Sequence, residues 1–199
     1  MPLTKVLIAS NNSHKVEEFR RLLEGLPIHL VTPRDAGLTL DVEETGETFE
    51  ENARLKAHAF AHASGLPALA DDSGIEVDAL DGRPGVRSAR YGGPGLDDPA
   101  RTQLLLREMA DVPDGKRTCR YRVVVVLAQP DGTERVAEGA CKGVVARTAA
   151  GSNGFGYDPI FHVPEFGRTI AQLSPEQKDA ISHRGKAARA IARILGGFH

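Results

Sequence analysis

Two adjacent carboxylates, Asp71 and Asp72, close an apolar run at residues 67–70, and a second acidic pair, Glu43-Glu44, stands upstream of a helix that carries Lys56. Carboxylates that converge on one point from separate segments make a site for a hard cation. Mg²⁺ characteristically takes one or two of them together with substrate phosphate oxygens. A carboxylate beside such a cation can also orient or deprotonate a water molecule. Side chains alternate across a strand, so Asp71 and Asp72 should diverge, with only one facing a given site. A turn of the Asp-Ser-Gly kind explains Asp72 without any metal, and the residues alone leave both readings open.

The cations are placed, not diffuse. Phe49, Lys56 and Phe60 lie on one helix, and at 100° per residue the last two fall within about 20° of Phe49. A lysine inside an apolar stripe must either snorkel to water or meet an anion. The segment Ser10-Asn11-Asn12-Ser13-His14-Lys15 joins an apolar strand to a helix, where free N–H groups and a positive dipole end suit a phosphate. A plain strand–helix turn capped by Asn or Ser is the simpler explanation of that loop, and no G-x-x-x-x-G-K-[ST] phosphate loop occurs anywhere. Phe155-Gly156-Tyr157-Asp158 follows a glycine-rich stretch, and two aromatics flanking a glycine can stack a base or simply fill a core. Lys178 and Ser182-His183-Arg184 add cations near the last helix. They are either solvated helix charges or, for His183 and Arg184, paired donors to a carbonyl.

Composition narrows the class. Twenty-seven acids against 25 bases leave the 199-residue chain at −2, without the basic excess of a protein that lives on a nucleic-acid backbone. A polyanionic ligand must therefore be met by the few cations named above or by a metal. No apolar run approaches the length of a membrane span. The opening MPLTKVLIASNN has only a short apolar stretch, Val6–Ala9, before it turns polar, unlike a secretory signal. Cys119 and Cys141 lack Cys-x-x-Cys spacing and read as reduced thiols of a cytoplasmic protein.

The elements that position these residues follow from pattern. Residues 5–9 (KVLIA) read as a strand. A helix follows with Val16, Phe19 and Leu23 on its inner face, and Glu17, Glu18, Arg20 and Arg21 in water. Residues 28–32 form a second strand. Thr48 opens the Lys56 helix, with Glu51 completing a capping box, and Gly65-Leu66-Pro67 stops it. Residues 67–70 form a buried strand leading into Asp71-Asp72-Ser73-Gly74, and 75–77 resume extended. Residues 80–99 are loop and 100–109 a helix. Residues 118–129 and 135–147 are strands joined at Pro130-Asp131-Gly132. Ser174-Pro175-Glu176-Gln177 opens a C-terminal helical segment. The sum is an α/β domain with a mixed sheet, and no linker divides residues 1–199. Glu47-x-x-Glu50-Glu51 also fits the E-x-x-E-E pattern of all-α nucleotide pyrophosphatases, but the strands argue against that fold.

Taken in order, six segments resemble the inosine/xanthosine triphosphate pyrophosphatase family. They are Ser10-x-Asn12-x-x-Lys15; Glu44-Thr45-Gly46 with Phe49-x-Glu51-Asn52-Ala53 and Lys56; and Ala70-Asp71-Asp72-Ser73-Gly74. Downstream lie Pro84-Gly85-x-x-Ser88-Ala89-Arg90-Tyr91, then Gly154 to Phe161 (GFGYDPIF), then Ser182-His183-Arg184-Gly185. Asn11 and His14 fall where the family's phosphate loop often carries glycine.

The resemblance implies hydrolysis of ITP, dITP and XTP to monophosphate and pyrophosphate, with Mg²⁺, by a cytoplasmic homodimer. It implies an elongated mixed β-sheet flanked by helices, in two lobes with a central nucleotide cleft. Ser10, Asn11, Asn12, Ser13, His14, Lys15 and Lys56 would then hold the triphosphate. Asp72 would be the general base and a metal ligand, with Glu44 the second ligand. Ser73, Phe155, Gly156, Tyr157, Asp158, Lys178, His183 and Arg184 would contact the nucleotide. Two other readings compete: a purine nucleotide-binding regulatory module that does not hydrolyse, and a related enzyme acting on modified pyrimidine triphosphates. Keeping Glu44, Asp72 and Lys56 together favours an enzyme, and the 155–161 and 182–185 segments argue against pyrimidines.

Overall fold

The computed structural model describes residues 4–196, so the first three residues of the opening stretch read above lie outside it. Seven strands form one mixed sheet: β1 (Thr4–Ile8), β2 (Ile28–Val31), β3 (Ala68–Val77), β4 (Thr118–Ala128), β5 (Glu134–Val145), β6 (Phe161–Val163) and β7 (Arg168–Thr169), in the order β2-β1-β3-β4-β5-β6-β7. The β2-β1-β3 side is parallel, whereas β6 is antiparallel to both β5 and β7. Among the described residues five α-helices accompany it: α1 (Ser13–Leu22), α2 (Phe49–Ser64), α3 (Asp98–Glu108), α4 (Pro175–Ile181) and α5 (His183–Gly196). None of the described helices is long and apolar enough to cross a membrane.

Local signals set the helix ends. Thr48 caps α2 with both halves of its capping box made, and Gly65 closes it in the left-handed conformation. Ser174 caps α4 in the same reciprocal way with Gln177. Asn12 caps α1, its side-chain oxygen accepting from the N–H groups of His14 and Lys15.

The chain divides into two compact units: residues 1–72, 123–139 and 184–199, and residues 73–122 and 140–183. The first unit's core includes Val6, Ile8, Phe19, Leu69, Val125 and Ile191. The second's includes Ile75, Leu105, Met109, Tyr121, Ile160 and Phe161. Each fully buried side chain of this size contributes about 1.5–3 kcal/mol.

Three expectations change. Residues 71–74 do not form a turn: β3 runs unbroken through Asp71-Asp72-Ser73-Gly74, with both acids buried. The strand survives because its charged side chains find cationic partners, so the backbone has no need to carry them out to water. Glu18, placed on the wet face of α1, is buried, because Arg184 donates to its carboxylate across 166 residues of sequence. The stretch read as loop at residues 80–99 contains a short 3₁₀ helix, Gly85–Arg90, and follows another, Asp78–Leu80; the short strands β6 and β7 were not anticipated.

Candidate active site

The parallel ladder places the acids. Ile8, the last residue of β1, is paired with Leu69, so Asp71 and Asp72 follow just beyond the carboxyl end of β1. That end of a parallel sheet, where α1 begins, is where ligands collect in α/β folds. Asp72, with 6% of its side chain exposed, lies 3.6 Å from Lys56 Nζ, which in turn lies 2.5 Å from Glu44. The lysine in the apolar stripe therefore meets anions and does not snorkel. Asn52 donates to Asp72 Oδ2 at 3.1 Å, accepts from the Gly46 N–H at 2.8 Å, and so ties the Glu44-bearing loop to the strand. A side chain at Gly46 would meet Asn52 Oδ1 at 2.8 Å, so only glycine lets the loop come this close.

The electrostatics of Asp72 are unusual for a carboxylate. Burial is the largest effect and pushes its pKa up to about 6; Glu44 adds to the rise, while Lys56 opposes it. For Lys56 burial works against the charge, but Asp72, Asp71 and Glu44 together raise its pKa above the ordinary lysine value.

Asp71 belongs to a different set of partners. Its Oδ2 accepts from Arg184 at 2.9 Å and lies 3.1 Å from Lys15 Nζ. Burial favours the neutral acid, but Lys15 and Arg184 outweigh it and hold the carboxyl well below the usual range. Arg184, 1% exposed, also donates to Glu18 at 2.6 Å. Burial pulls the Lys15 ammonium below its ordinary value, with Asp71 opposing. The loop before α1 is largely internally bonded. Ser10 Oγ accepts from Asn12 N–H, Asn11 donates to the Leu40 carbonyl, and Asn12 occupies two of the helix's first N–H groups. The loop thus offers fewer backbone donors than an uncapped helix start, although Asn11, Asn12, Ser13 and His14 remain exposed. Ser73 is half-buried.

In the second unit the downstream residues also gather. Lys178 Nζ lies 2.6 Å from Asp158 Oδ2 and 4.9 Å from the Phe155 ring centroid. Asp158 also accepts from the Phe155 N–H at 3.0 Å and from the Tyr121 hydroxyl at 3.1 Å. Gly154 has a φ of 75°, and a side chain there would overlap Asp158 Oδ2. Gly156 N–H donates to Asp98, and the Tyr157 hydroxyl donates to the Ser88 carbonyl. His183 is buried and stacks on Tyr121. Lys178, His183 and Arg184 are therefore not solvated helix charges: all three are buried.

Residues 6–194 match the sequence model of the Ham1 family. The chain belongs to the Ham1 family. It is similar to a dITP/XTP pyrophosphatase of Streptomyces coelicolor, 49% identical over 195 residues that cover 97% of this chain and 98% of the relative. A protein of the same name from Geobacter sulfurreducens is 45% identical over 194 residues, 98% of each. Among solved structures, a HAM1 protein from Coxiella burnetii aligns with a TM-score of 0.88 at 41% identity, covering 97% of this chain and 98% of that one. A nucleoside-triphosphatase / dITP/XTP pyrophosphatase from Mycobacterium abscessus aligns at 0.76 and 47%, covering 96% and 99%.

In this Ham1 chain, three residues of the two clusters received no role from sequence: Asn52, Glu18 and Tyr121. Asn52 lies three residues after Phe49 and four before Lys56, and a polar side chain at that helical spacing was the available signal. Glu18 and Tyr121 carry none, since their partners are remote in sequence. No group of three or more His, Cys, Asp or Glu suited to a metal occurs among the described residues. The donor set is instead two carboxylates converging on one cationic point, now marked by the Lys56 ammonium. That set fits a cation which draws its remaining ligands from substrate phosphates and water.

Proposed function

We propose that this chain hydrolyses non-standard purine nucleoside triphosphates (ITP, dITP and XTP) to the monophosphate and pyrophosphate. The observation that carries this reading is the Glu44–Lys56–Asp72 group, in which a buried carboxylate with a pKa near 6 sits beside a second carboxylate and a lysine. A regulatory binding module has no use for such a base. The relatives named above support the same chemistry.

Cleavage between the α- and β-phosphorus needs an in-line water, neutralised phosphoryl oxygens and a stabilised leaving group. Asp72 is assigned to orient and deprotonate the water: a base with a pKa just below the working pH is ionised yet still able to take a proton. Glu44 and Asp72 would hold a Mg²⁺, which when bound screens the phosphate oxygens and aids their polarisation. Lys15 and Lys56 answer the triphosphate charge, and Asp71 holds Lys15 in place. Asn11, Asn12, Ser13 and His14 contact the phosphates through exposed side chains, and half-buried Ser10 joins them beside the N–H groups that Asn12 leaves.

Base choice is assigned to the downstream group, with Phe155, Gly156 and Tyr157 shaping the site and Asp158 holding Lys178. Hypoxanthine and xanthine present a 6-oxo acceptor where adenine presents a 6-amino donor. A donor from His183 would satisfy the first and oppose the second, a mismatch worth up to about 10⁴-fold, while Arg184, the next residue, is held by Glu18 and Asp71. The enzyme is further assigned as a cytoplasmic homodimer, which sedimentation of the purified protein tests. The function is tested by pyrophosphate release from ITP, XTP, dITP, GTP, ATP and dUTP, each with Mg²⁺ and with EDTA. Metal-dependent release from the first three, and little from the rest, is expected. Binding without release would make the protein a nucleotide sensor.

A further inference from the structure

Four of the residues assigned to the nucleotide in the second unit (Phe155, Asp158, Lys178 and His183) connect through a fifth that has no assigned role. Tyr121, on β4, is 6% exposed and stacks with His183 at a centroid distance of 4.7 Å and an interplanar angle of 20°. It stacks with Phe161 at 4.5 Å and 11°. Its hydroxyl donates to Asp158 Oδ1 at 3.1 Å, while Asp158 Oδ2 takes Lys178 at 2.6 Å and Lys178 lies over Phe155. One phenol ring thus joins a two-sided aromatic stack to a buried ion pair.

We propose that Tyr121 is a positioning residue that fixes the plane of the His183 imidazole and thereby sets discrimination at the 6-position of the purine. The proposal rests on the assignment of His183 to the base edge. The physical step is geometric. Imidazole N–H vectors lie in the ring plane, and a hydrogen bond weakens steeply once its angle departs from linear. Parallel stacking restricts rotation of that plane. Phe161 and the Asp158 bond in turn keep Tyr121 from tilting. A His183 free to rotate would still offer a donor to the 6-oxo group, but could also turn its acceptor nitrogen toward a 6-amino group. Loss of the stack should therefore cost selectivity before it costs phosphate chemistry.

The test compares Tyr121→Phe, which keeps the stack and drops the hydroxyl, with Tyr121→Met, which fills the space without a ring. The readout is kcat/KM for ITP and for ATP. Tyr121→Phe is expected to hold the ITP-to-ATP ratio within about threefold, and Tyr121→Met to lower it by about tenfold or more. An equal fall for both substrates in Tyr121→Met would show a structural role only and overturn the proposal. So would a Tyr121→Phe variant as unselective as Tyr121→Met. His183→Gln separates the two layers of inference. If it leaves the ratio unchanged, base reading by His183 falls and the proposal falls with it, while pyrophosphate release from ITP still stands. If Tyr121→Met does not fold, NMR decides. His183 ring protons in the wild type and in Tyr121→Phe should be shifted upfield by the stacked ring, and unshifted resonances would overturn the proposal.

Discussion

Asp71 and Asp72 are consecutive residues of one strand, yet they answer to different helices. Asp71 pairs with Lys15 of α1 and Arg184 of α5, whereas Asp72 takes Asn52 and Lys56 of α2. The alternation of side chains along an extended strand produces this split. Its chemical result is two neighbouring carboxylates pushed apart in acidity, Asp71 well below the usual range and Asp72 up to about 6. Such pairs divide labour: one is a permanent anion that holds cations, the other a base near its working pH.

Replacing the base should stop the chemistry and spare the fold. Asp72→Asn is expected to abolish turnover. The raised pKa means that the folded state binds more protons than the unfolded chain between the ordinary aspartate value of 3.8 and about 6, so this group costs stability as pH rises through that window and costs most above it. Asp72→Asn should accordingly unfold at higher denaturant at pH 7, by about 1–3 kcal/mol, with no gain at pH 3. Equal or lower stability at pH 7 would contradict the burial reading.

The same group should shape the pH profile. The acid limb of kcat/KM for ITP, which reports the free enzyme, is expected to have its midpoint near pH 6. A limb near pH 4 would mean an unperturbed carboxylate.

Lys56→Met tests the lysine in the apolar stripe. Its partners are now visible, so the substitution leaves Glu44 and Asp72 facing one another. It should destabilise by about 1–3 kcal/mol and raise KM for the triphosphate. Because Lys56 holds the pKa of Asp72 down, its removal should also move the acid limb upward. An unmoved limb would separate Lys56 from the base.

Arg184→Ala removes the shared partner of two buried acids, Glu18 and Asp71. A loss of about 3–5 kcal/mol in chemical denaturation is expected, the usual result of leaving buried charges unpaired. A loss below 1 kcal/mol would show that water reaches the cluster.

Some of this was legible in the chain and some was not. Thr48, Glu51 and Gly65 bound α2 through local hydrogen bonds, so its limits follow from sequence; the position of Lys56 among phenylalanines left snorkelling and an anion both open, and Glu44 and Asp72 decide for the anion. Asp-Ser-Gly is a turn signal wherever its charges are free to reach water, so a turn stayed open beside a strand at Asp71–Gly74; here Lys15, Lys56 and Arg184 meet the charges inside and the strand runs on. Glu18 looked solvated because helix periodicity knows nothing of an arginine near the other end of the chain. Tyr121 gave no signal, since one aromatic in an apolar strand looks like core, which it also is. The short strands β6 and β7 pair only in tertiary context.

The most direct measurement is pyrophosphate release from ITP and ATP with Mg²⁺, by the wild type and by Asp72→Asn, alongside ITP binding by both. Pyrophosphate equimolar with IMP from the wild type on ITP, little on ATP, and none from Asp72→Asn that still binds ITP is the expected result. Substantial turnover by Asp72→Asn, or a wild type that binds ITP and releases no pyrophosphate, would contradict the role given to Asp72.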